Sequence, residues 1–123
     1  MPKKILVVDD KANNVLSLEF LMKQAGYDVR TASDGEEALA TIEADPPDLI
    51  LLDVNMPTKN GFEVCETVRA RNEWSHIRII MLTAHGRDIE REKGLALGAD
   101  DYLTKPFAIR EVVSKVQELL EQS

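Results

Sequence analysis

Five side chains that could bind a cation or a phosphoryl group lie at the ends of short runs of the sequence that have the character of strands. They are Asp9, Asp10, Asp53, Thr83 and Lys105. Runs of this length, rich in β-branched and other apolar residues, are typical of buried parallel strands. Because the carboxyl ends of parallel strands meet at one edge of a sheet, we expect the five side chains to lie together there.

Three carboxylates gathered at one edge need a proton or a bound cation. At about 5 Å and an effective dielectric of 20, each pair repels by about 3 kcal/mol. Hard oxygen ligands favour Mg²⁺, with Mn²⁺ as an alternative. Flanked by such a cation and by Lys105, Asp53 could attack a phosphoryl group, because the positive charges screen the carboxylate from the anion it approaches. Thr83 could then donate a hydrogen bond to a phosphoryl oxygen.

Strands alternate with helices along the chain, which predicts an α/β fold of the flavodoxin-like, doubly wound kind. The expected architecture is a five-stranded parallel sheet of order 2-1-3-4-5 with helices on both faces. The predicted strands are Lys4 to Asp9, Tyr27 to Ala32, the run ending at Asp53, Ile77 to Leu82, and Asp101 to Lys105. This order makes the first and third strands neighbours, with a crevice at their carboxyl ends.

Capping residues locate the first two helices. An Asn of the turn Lys11 to Asn14 is predicted to cap a helix from about Val15 to Ala25, which Gly26 ends. Asp34 and Glu37 have the spacing of a capping box at the start of the second helix.

The last three helices are predicted from their apolar residues. The third is marked by Phe62 to Val68, and the fourth is expected over Arg87 to Leu97. The last helix is the clearest, because six apolar residues share one face at helical spacing. They are Ile109, Val112, Val113, Val116, Leu119 and Leu120.

The composition limits the classes of function. At 123 residues the chain fits one domain, 1–123. With 22 acidic and 15 basic side chains the net charge is −7, which opposes direct binding to nucleic acid. Cys65 is the single cysteine, so a disulfide framework is excluded, and the apolar run near the amino terminus is too short for a signal peptide or a membrane span. We therefore expect a soluble cytoplasmic protein that contacts no membrane.

The candidate residues fall in four motifs: V-V-D-D at the first strand, L-L-D-V-N-M-P-x-x-x-G at the third, L-T-A at the fourth and Y-L-T-K-P-F at the fifth. Together they resemble the receiver domain of two-component response regulators, and the resemblance covers essentially the whole chain. It implies a phosphorylation-activated switch. Asp53 would accept a phosphoryl group from a sensor histidine kinase or a histidine phosphotransfer protein, and the chain would catalyse only its own phosphorylation and dephosphorylation.

The same resemblance implies roles for the residues around Asp53. Lys105 would pair with the phosphoryl group, and the Lys105–Pro106 peptide bond would be cis. The implied ligands of Mg²⁺ are Asp10, Asp53 and the main-chain carbonyl of Asn55, with Asp9 acting mainly through water.

Thr83 and Tyr102 are implied to form a switch pair, in which Thr83 moves to the phosphoryl group and Tyr102 turns inward. Two charge-assisted hydrogen bonds of about 1.5 to 3 kcal/mol each are comparable with the roughly 5.5 kcal/mol that such a switch needs. The output face, which would meet a downstream effector protein or domain, is expected at the fourth helix, fifth strand and fifth helix. The fourth helix should move most easily, because its apolar anchors are few, chiefly Ile89, Leu95 and Ala96.

Leu16 and Phe20 fall opposite the apolar face of the first helix, one turn apart. In this family the phosphodonor docks on the first helix, so we expect both residues to contact it. A monomer is expected, because Glu92 lies where dimerising receivers usually present an apolar residue, and Gln117 where a base is common.

The chain departs from the family pattern at a few positions. Lys11 follows the acid pair where many relatives have an acid or a small polar residue, and it should slightly weaken metal affinity. Lys59 and Asn60 replace a more usual apolar-acid pair. His85, which with Asn55 would tune the phosphoryl lifetime, is expected to be a solvated loop residue rather than a general base.

Other classes of protein fit the residues less well. A flavodoxin-type FMN carrier needs a hydroxyl-rich phosphate loop where this chain has Asp9 and Asp10. A magnesium-dependent aspartyl phosphatase shares the nucleophile, lysine and metal but usually needs a cap domain. A receiver that binds partners without phosphate would lack one of the five edge residues. A receiver excised from a longer regulator is a further alternative.

Overall fold

The computed structural model describes residues 2–56, 59–84 and 88–121. Its core is a parallel sheet of five strands in the order β2-β1-β3-β4-β5, so the predicted fold class and strand order are confirmed. The strands are β1 (Lys4–Val8), β2 (Asp28–Ala32), β3 (Leu49–Asp53), β4 (Arg78–Ala84) and β5 (Asp101–Lys105). The helices are α1 (Ala12–Gln24), α2 (Gly35–Ala44), α3 (Gly61–Arg69), α4 (Asp88–Ala96) and α5 (Ile109–Glu121), with a 3₁₀ turn at Asn72–Trp74 that the sequence analysis does not predict.

Helices cover both faces of the sheet. Successive residues of its central strands point to opposite faces, so each strand contributes to both sides of the core. Ile50 and Leu52 of β3 pack into a cluster with residues of α2 and α3. Leu49 and Leu51 pack into a second cluster with residues of α1 and α5. All five residues of β3 are buried, which is why this strand has an unbroken apolar sequence rather than an alternating one.

Strand register sets which residues meet at the carboxyl edge of the sheet. Val8 pairs with Leu52, so Asp9 and Asp53 are each one residue further along their strands. Asp53 pairs with Leu82, which places Thr83 next in line on β4. Lys105 pairs with the last residue of β4. Four of the five candidate residues are therefore brought to one edge by main-chain pairing, and Asp10 follows Asp9.

The predicted asparagine cap of α1 is wrong. The helix begins at Ala12, and Lys11 occupies the capping position without a side-chain capping bond. Asn14 lies inside the first turn, and its side-chain amide donates to Asp9 at 3.2 Å. The amide therefore serves the neighbouring carboxylate instead of the helix end. The glycine stop is confirmed, since Gly26 follows the helix with a φ of 96°.

The other helix ends are only partly as predicted. Asp34 caps α2 by accepting from Glu37 N, but the Glu37 carboxylate accepts from Ser33 N rather than closing the box on Asp34. A complete capping box is found instead at α3, between Asn60 and Glu63. The N-x-x-E spacing of this box is visible in the sequence, but the box is not among the predictions made from it.

Two predicted apolar faces need correction. Ile109 lies at the first position of α5 and is 63% exposed, whereas Val112, Val116 and Leu120 form the buried stripe. The expected anchors of α4 are exposed as well, and Gly94 is the buried residue of that helix. A Cβ there would press on the Met81 side chain, so α4 approaches the sheet through its glycine rather than through large apolar side chains.

Candidate functional site

Three carboxylates lie together at the carboxyl edge of the sheet. One oxygen each of Asp9, Asp10 and Asp53 falls within 4.8 Å of the others. Asp9 and Asp53 are buried, while Asp10 is exposed at the rim. Three hard oxygen donors this close, with one side open, suit a divalent cation that keeps some of its waters. The structure therefore has an acidic cluster that could bind a metal.

Lys105 bridges the two buried carboxylates. Its Nζ donates to Asp53 Oδ1 at 3.0 Å and to Asp9 Oδ2 at 3.2 Å. Burial alone would lower the pKa of this ammonium group, but the hydrogen bond and charge of Asp53, with those of Asp9, outweigh it and raise the pKa. Lys105 is therefore a fixed positive charge at the site.

The Asp53 carboxyl group is buried and lies beside the charged groups of Lys105 and Asp9. Burial raises the pKa of its carboxyl group to about 6, the hydrogen bond from Lys105 opposes this shift, and the charge of Asp9 adds to it. A hydrogen bond from the main chain of Asn55 also favours the ionised form. At neutral pH the group is therefore mostly a carboxylate, held in a poorly hydrated place where it is a better nucleophile than on an open surface.

Asp9 is fully buried and held by three donors. Besides Lys105, it accepts from Lys11 N at 2.9 Å and from Asn14 Nδ2 at 3.2 Å. Sequence reasoning missed Asn14 as a member of the site. The signal that could have found it is an amide side chain in the first turn of α1, shortly after the acid pair. These bonds orient Asp9 with its two oxygens already engaged.

Thr83 and Tyr102 lie on neighbouring strands but have different partners. Thr83 is buried at the edge, and its hydroxyl donates to the Leu103 carbonyl at 3.4 Å. Tyr102 is partly buried, and its hydroxyl accepts from Arg91 Nη1 at 3.1 Å. Arg91 also stacks over the tyrosine ring at 4.8 Å, with Lys115 at 5.9 Å. Tyr102 is thus held at the surface, between a cation of α4 and one of α5.

The loop after β3 returns tightly over Asp53. Gly61 N donates to the Val54 carbonyl at 2.9 Å, and a Cβ on Gly61 would overlap the carbonyl group of Asp53. Glycine is therefore required for this close approach. Asn55 is exposed beside the site. His85, which is expected to be a solvated loop residue, and Pro57 of the third motif lie outside the described residues.

Leu16 and Phe20 are both exposed, at 63% and 60%, but they face different clefts. Phe20 lines a groove of about 890 Å³ that also contains Asp53 and Lys105. Leu16 lines a smaller cleft of about 360 Å³ on the other side of α1, with Asp9, Asp10 and Glu19. The structure does not bring the two apolar side chains into one cavity. The Lys105–Pro106 peptide bond, whose two residues line the larger groove, is cis.

Comparison with known proteins decides the family. Residues 5–117 match the family model described as the response regulator receiver domain. The chain belongs to the receiver domain family of two-component response regulators. The acid pair, the central aspartate and the lysine of this receiver domain belong to the motifs that carry the resemblance. Its function as a phosphoacceptor switch fits that family.

Individual relatives agree with the assignment. The receiver is 50% identical over 123 residues to the alkaline phosphatase synthesis transcriptional regulatory protein PhoP of Bacillus subtilis. All of the chain is covered but 50% of that protein, so the chain spans half the length of this curated relative.

Solved structures agree as well. A protein of Chloroflexus aurantiacus assigned as a response regulator is 39% identical, with a TM-score of 0.95 over 98% of this chain and 99% of that one. The chemotaxis response regulator CheY4 of Vibrio cholerae is 35% identical, with a TM-score of 0.91 over 97% and 99% of the two chains.

The helices of the receiver are short and amphipathic. Across residues 2–56, 59–84 and 88–121, none has both the length and the apolar character to cross a bilayer.

Proposed function

We propose that this receiver accepts a phosphoryl group on Asp53 and acts as a regulatory switch rather than as an enzyme with an external substrate. The observation that carries the proposal is the position of the Asp53 carboxylate. It is buried at the end of the central strand, 3.0 Å from the Lys105 ammonium group, in a cluster of three carboxylates. Such a carboxylate is a nucleophile with countercharge already in place.

Mg²⁺, with Mn²⁺ as a substitute, is the cation proposed for the acidic cluster. Asp10, Asp53 and the main-chain carbonyl of Asn55 would hold it directly, and Asp9 would act through water. The fully buried Asp9 suits an indirect role, because both of its oxygens already accept hydrogen bonds. When bound, the cation would neutralise charge on the transferring phosphoryl group.

The chain's own residues would carry the rest of the reaction. An Asp53 oxygen forms the new bond to phosphorus, and the bond from phosphorus to the donor atom breaks. Lys105 is already within hydrogen-bond distance of Asp53 and would pair with a phosphoryl oxygen as charge builds up there. Thr83 would exchange its bond to the Leu103 carbonyl for one to another phosphoryl oxygen.

The change at Thr83 would be passed on by Tyr102. Once the threonine moves toward the site, the space it leaves favours an inward position of the tyrosine ring. Tyr102 would then leave Arg91 on α4 and Lys115 on α5. We therefore place the output face on α4, β5 and α5, where it would meet a downstream effector protein or domain.

The proposed phosphodonor is a sensor histidine kinase or a histidine phosphotransfer protein that docks on α1. Phe20 is the stronger candidate contact, because it lines the groove that reaches Asp53, while Leu16 faces the smaller cleft. Phe20→Ala is expected to lower the rate of phosphotransfer and the affinity for such a donor. Equal phosphotransfer rates for the wild type and Phe20→Ala would contradict this contact.

A monomer is also part of the proposal. Lys115 of the output face is paired within the chain, with Asp101 at 3.1 Å. A reducing, cytoplasmic setting suits the single cysteine, Cys65, which is free and buried. The net charge of −7 argues against direct contact with nucleic acid.

Intact mass spectrometry tests the proposal. Incubation with Mg²⁺ and acetyl phosphate should add one phosphoryl group to the wild-type chain and none to Asp53→Asn. Omission of Mg²⁺ or addition of a chelator should suppress the addition. An unmodified wild-type chain would contradict the proposal. Continuous release of phosphate from many phosphate esters would favour the aspartyl phosphatase class instead.

A further inference from the structure

The larger of the two clefts joins the acidic site to an apolar surface. We call it the α1–α5 groove. Its apolar lining consists of Phe20, Leu21, Pro106, Phe107 and Ile109, and Asp53 and Lys105 line it as well. At about 890 Å³ the groove is as large as cavities that take up small organic ligands.

Two large apolar side chains of this groove are not explained by the core. Phe20 is 60% exposed and Ile109 is 63% exposed, and neither belongs to the two buried clusters of the sheet. Single exposed apolar residues are ordinary on protein surfaces. Here, however, they come from separate helices and line one cavity together with the reactive carboxylate.

The groove has the charge to receive an anion. Lys11 and Lys105 both line it, whereas Asp53 is the acidic residue among its lining residues. Lys11 is exposed, and Lys105 is fixed 3.0 Å from Asp53 Oδ1. A phosphate placed against the Lys105 ammonium group would have its phosphorus next to the Asp53 carboxylate. Any apolar group attached to it would have Phe20 and Ile109 within the same cavity.

We infer that the α1–α5 groove selects small phosphodonors with a bulky apolar or aromatic acyl group, so that aryl acyl phosphates are preferred over acetyl phosphate. The inference rests on the proposed function, because it names the class of donor that the same carboxylate takes. It requires the phosphate near Lys105 and the acyl group between Phe20 and Ile109.

The transfer step is balanced without any co-reactant. A carboxylate oxygen of Asp53 forms a bond to phosphorus, and the bond between phosphorus and the acyl oxygen breaks. The electron pair of that bond leaves with the acyl group, which becomes a free carboxylate anion. No proton transfer and no oxidant or reductant is needed. With benzoyl phosphate the leaving group is benzoate.

The test compares benzoyl phosphate with acetyl phosphate as donors to the full chain with Mg²⁺. The kcat/KM for formation of phosphorylated protein is measured for each donor and divided by the donor's rate of reaction with free imidazole, which corrects for intrinsic reactivity. Covering a phenyl ring by about half should favour benzoyl phosphate by about tenfold. Phe20→Ala and Ile109→Ala should each lower this benzoyl-to-acetyl ratio severalfold.

A matched control is available at Ile89. It is an isoleucine on α4, 82% exposed and not among the residues of the groove. Ile89→Ala should leave the benzoyl-to-acetyl ratio at the wild-type value. Circular dichroism melting checks that all three variants fold. Should a groove variant misfold, binding to the wild-type protein still tests the inference. Phenylphosphonate should bind to it about tenfold more tightly than methylphosphonate.

The outcomes separate the two proposals. A wild-type ratio near one, or a high ratio that survives both Phe20→Ala and Ile109→Ala, would overturn the selectivity of the groove while leaving Asp53 as phosphoacceptor. Failure of both donors to modify Asp53 would overturn the proposed function and this inference together. A preference for benzoyl phosphate that is lost only in the groove variants would support both the proposed function and this inference.

Discussion

Arg91 of α4 holds Tyr102 of β5 at the surface, by stacking over its ring at 4.8 Å and by donating to its hydroxyl at 3.1 Å. The proposed switch moves Tyr102 inward, so this contact exists in only one of the two positions of the ring. A contact made in one state alone shifts the equilibrium between the states by its own free energy.

Arg91→Ala is therefore expected to favour the inward position of Tyr102 even without phosphorylation. A surface contact of about 0.5 to 1 kcal/mol corresponds to a roughly two- to fivefold change in the equilibrium. NMR shifts of Tyr102 and Thr83 should move part of the way toward those of the beryllofluoride-bound protein. Lys93→Ala is the control, because Lys93 is also on α4 but stacks on Phe62. Shifts that stay in place, or change equally in the control, would contradict the account.

The raised pKa of Asp53 predicts a pH dependence of stability in the metal-free protein. The unfolded chain loses this proton near the ordinary value of 3.8, whereas the folded chain keeps it to about pH 6. Between these values the folded state binds more protons, so the contribution of Asp53 to the free energy of unfolding falls as the pH rises. The total loss is at most about 3 kcal/mol and is complete above pH 6.

Asp53→Asn removes this contribution. In urea unfolding with a chelator, followed by Trp74 fluorescence, the variant should gain stability relative to wild type as the pH rises from 4 to 7. Parallel pH profiles for the two proteins would show that burial of Asp53 does not carry the cost assigned to it.

Lys105 competes with a metal ion for the same carboxylates. Because its ammonium group lies 3.0 Å from Asp53 and 3.2 Å from Asp9, removing it should strengthen Mg²⁺ binding severalfold while slowing phosphorylation. Calorimetric titration of Lys105→Ala with Mg²⁺ measures the first effect. Lys115→Ala, which removes a lysine paired with Asp101 instead, should bind Mg²⁺ as the wild type does. Weaker binding by Lys105→Ala would count against this competition.

Asn14 is predicted to stabilise the site through Asp9. Its amide donates to a fully buried carboxylate, so Asn14→Ala should lower the free energy of unfolding by about 1.5 to 3 kcal/mol. Asn13→Ala, one residue earlier on the exposed side of α1, should change it by less than about 0.5 kcal/mol. Chemical denaturation of the two variants compares them directly, and equal losses would show that the effect belongs to the helix rather than to Asp9.

The sheet and its edge could be predicted because their signals are local. The apolar run ending at Asp53 is unbroken where β3 is buried on both faces, and β5 was predicted with its observed bounds, Asp101–Lys105. Parallel pairing then required the edge residues to meet. No measured distance was needed to expect the acidic cluster.

Features that depend on tertiary distances could not be found in this way. Helical spacing predicts the same burial for Ile109 as for Val112, but Ile109 is the first residue of α5 and is exposed in the groove. An asparagine just before a helical pattern predicts a helix cap, whereas the side chain of Asn14 donates to Asp9 instead. The contact of Arg91 with Tyr102 joins α4 to β5 and has no counterpart in sequence spacing.

The most direct test of the central claim is to locate the phosphoryl group chemically. Protein treated with Mg²⁺ and acetyl phosphate is reduced with borohydride, which converts an aspartyl phosphate to homoserine, and the peptides are sequenced by mass spectrometry. We predict homoserine at position 53, dependent on Mg²⁺, and absent from protein that was not treated with the donor. Homoserine at Asp9 or Asp10 instead, or none anywhere in the chain, would contradict the assignment of Asp53 as the phosphoacceptor.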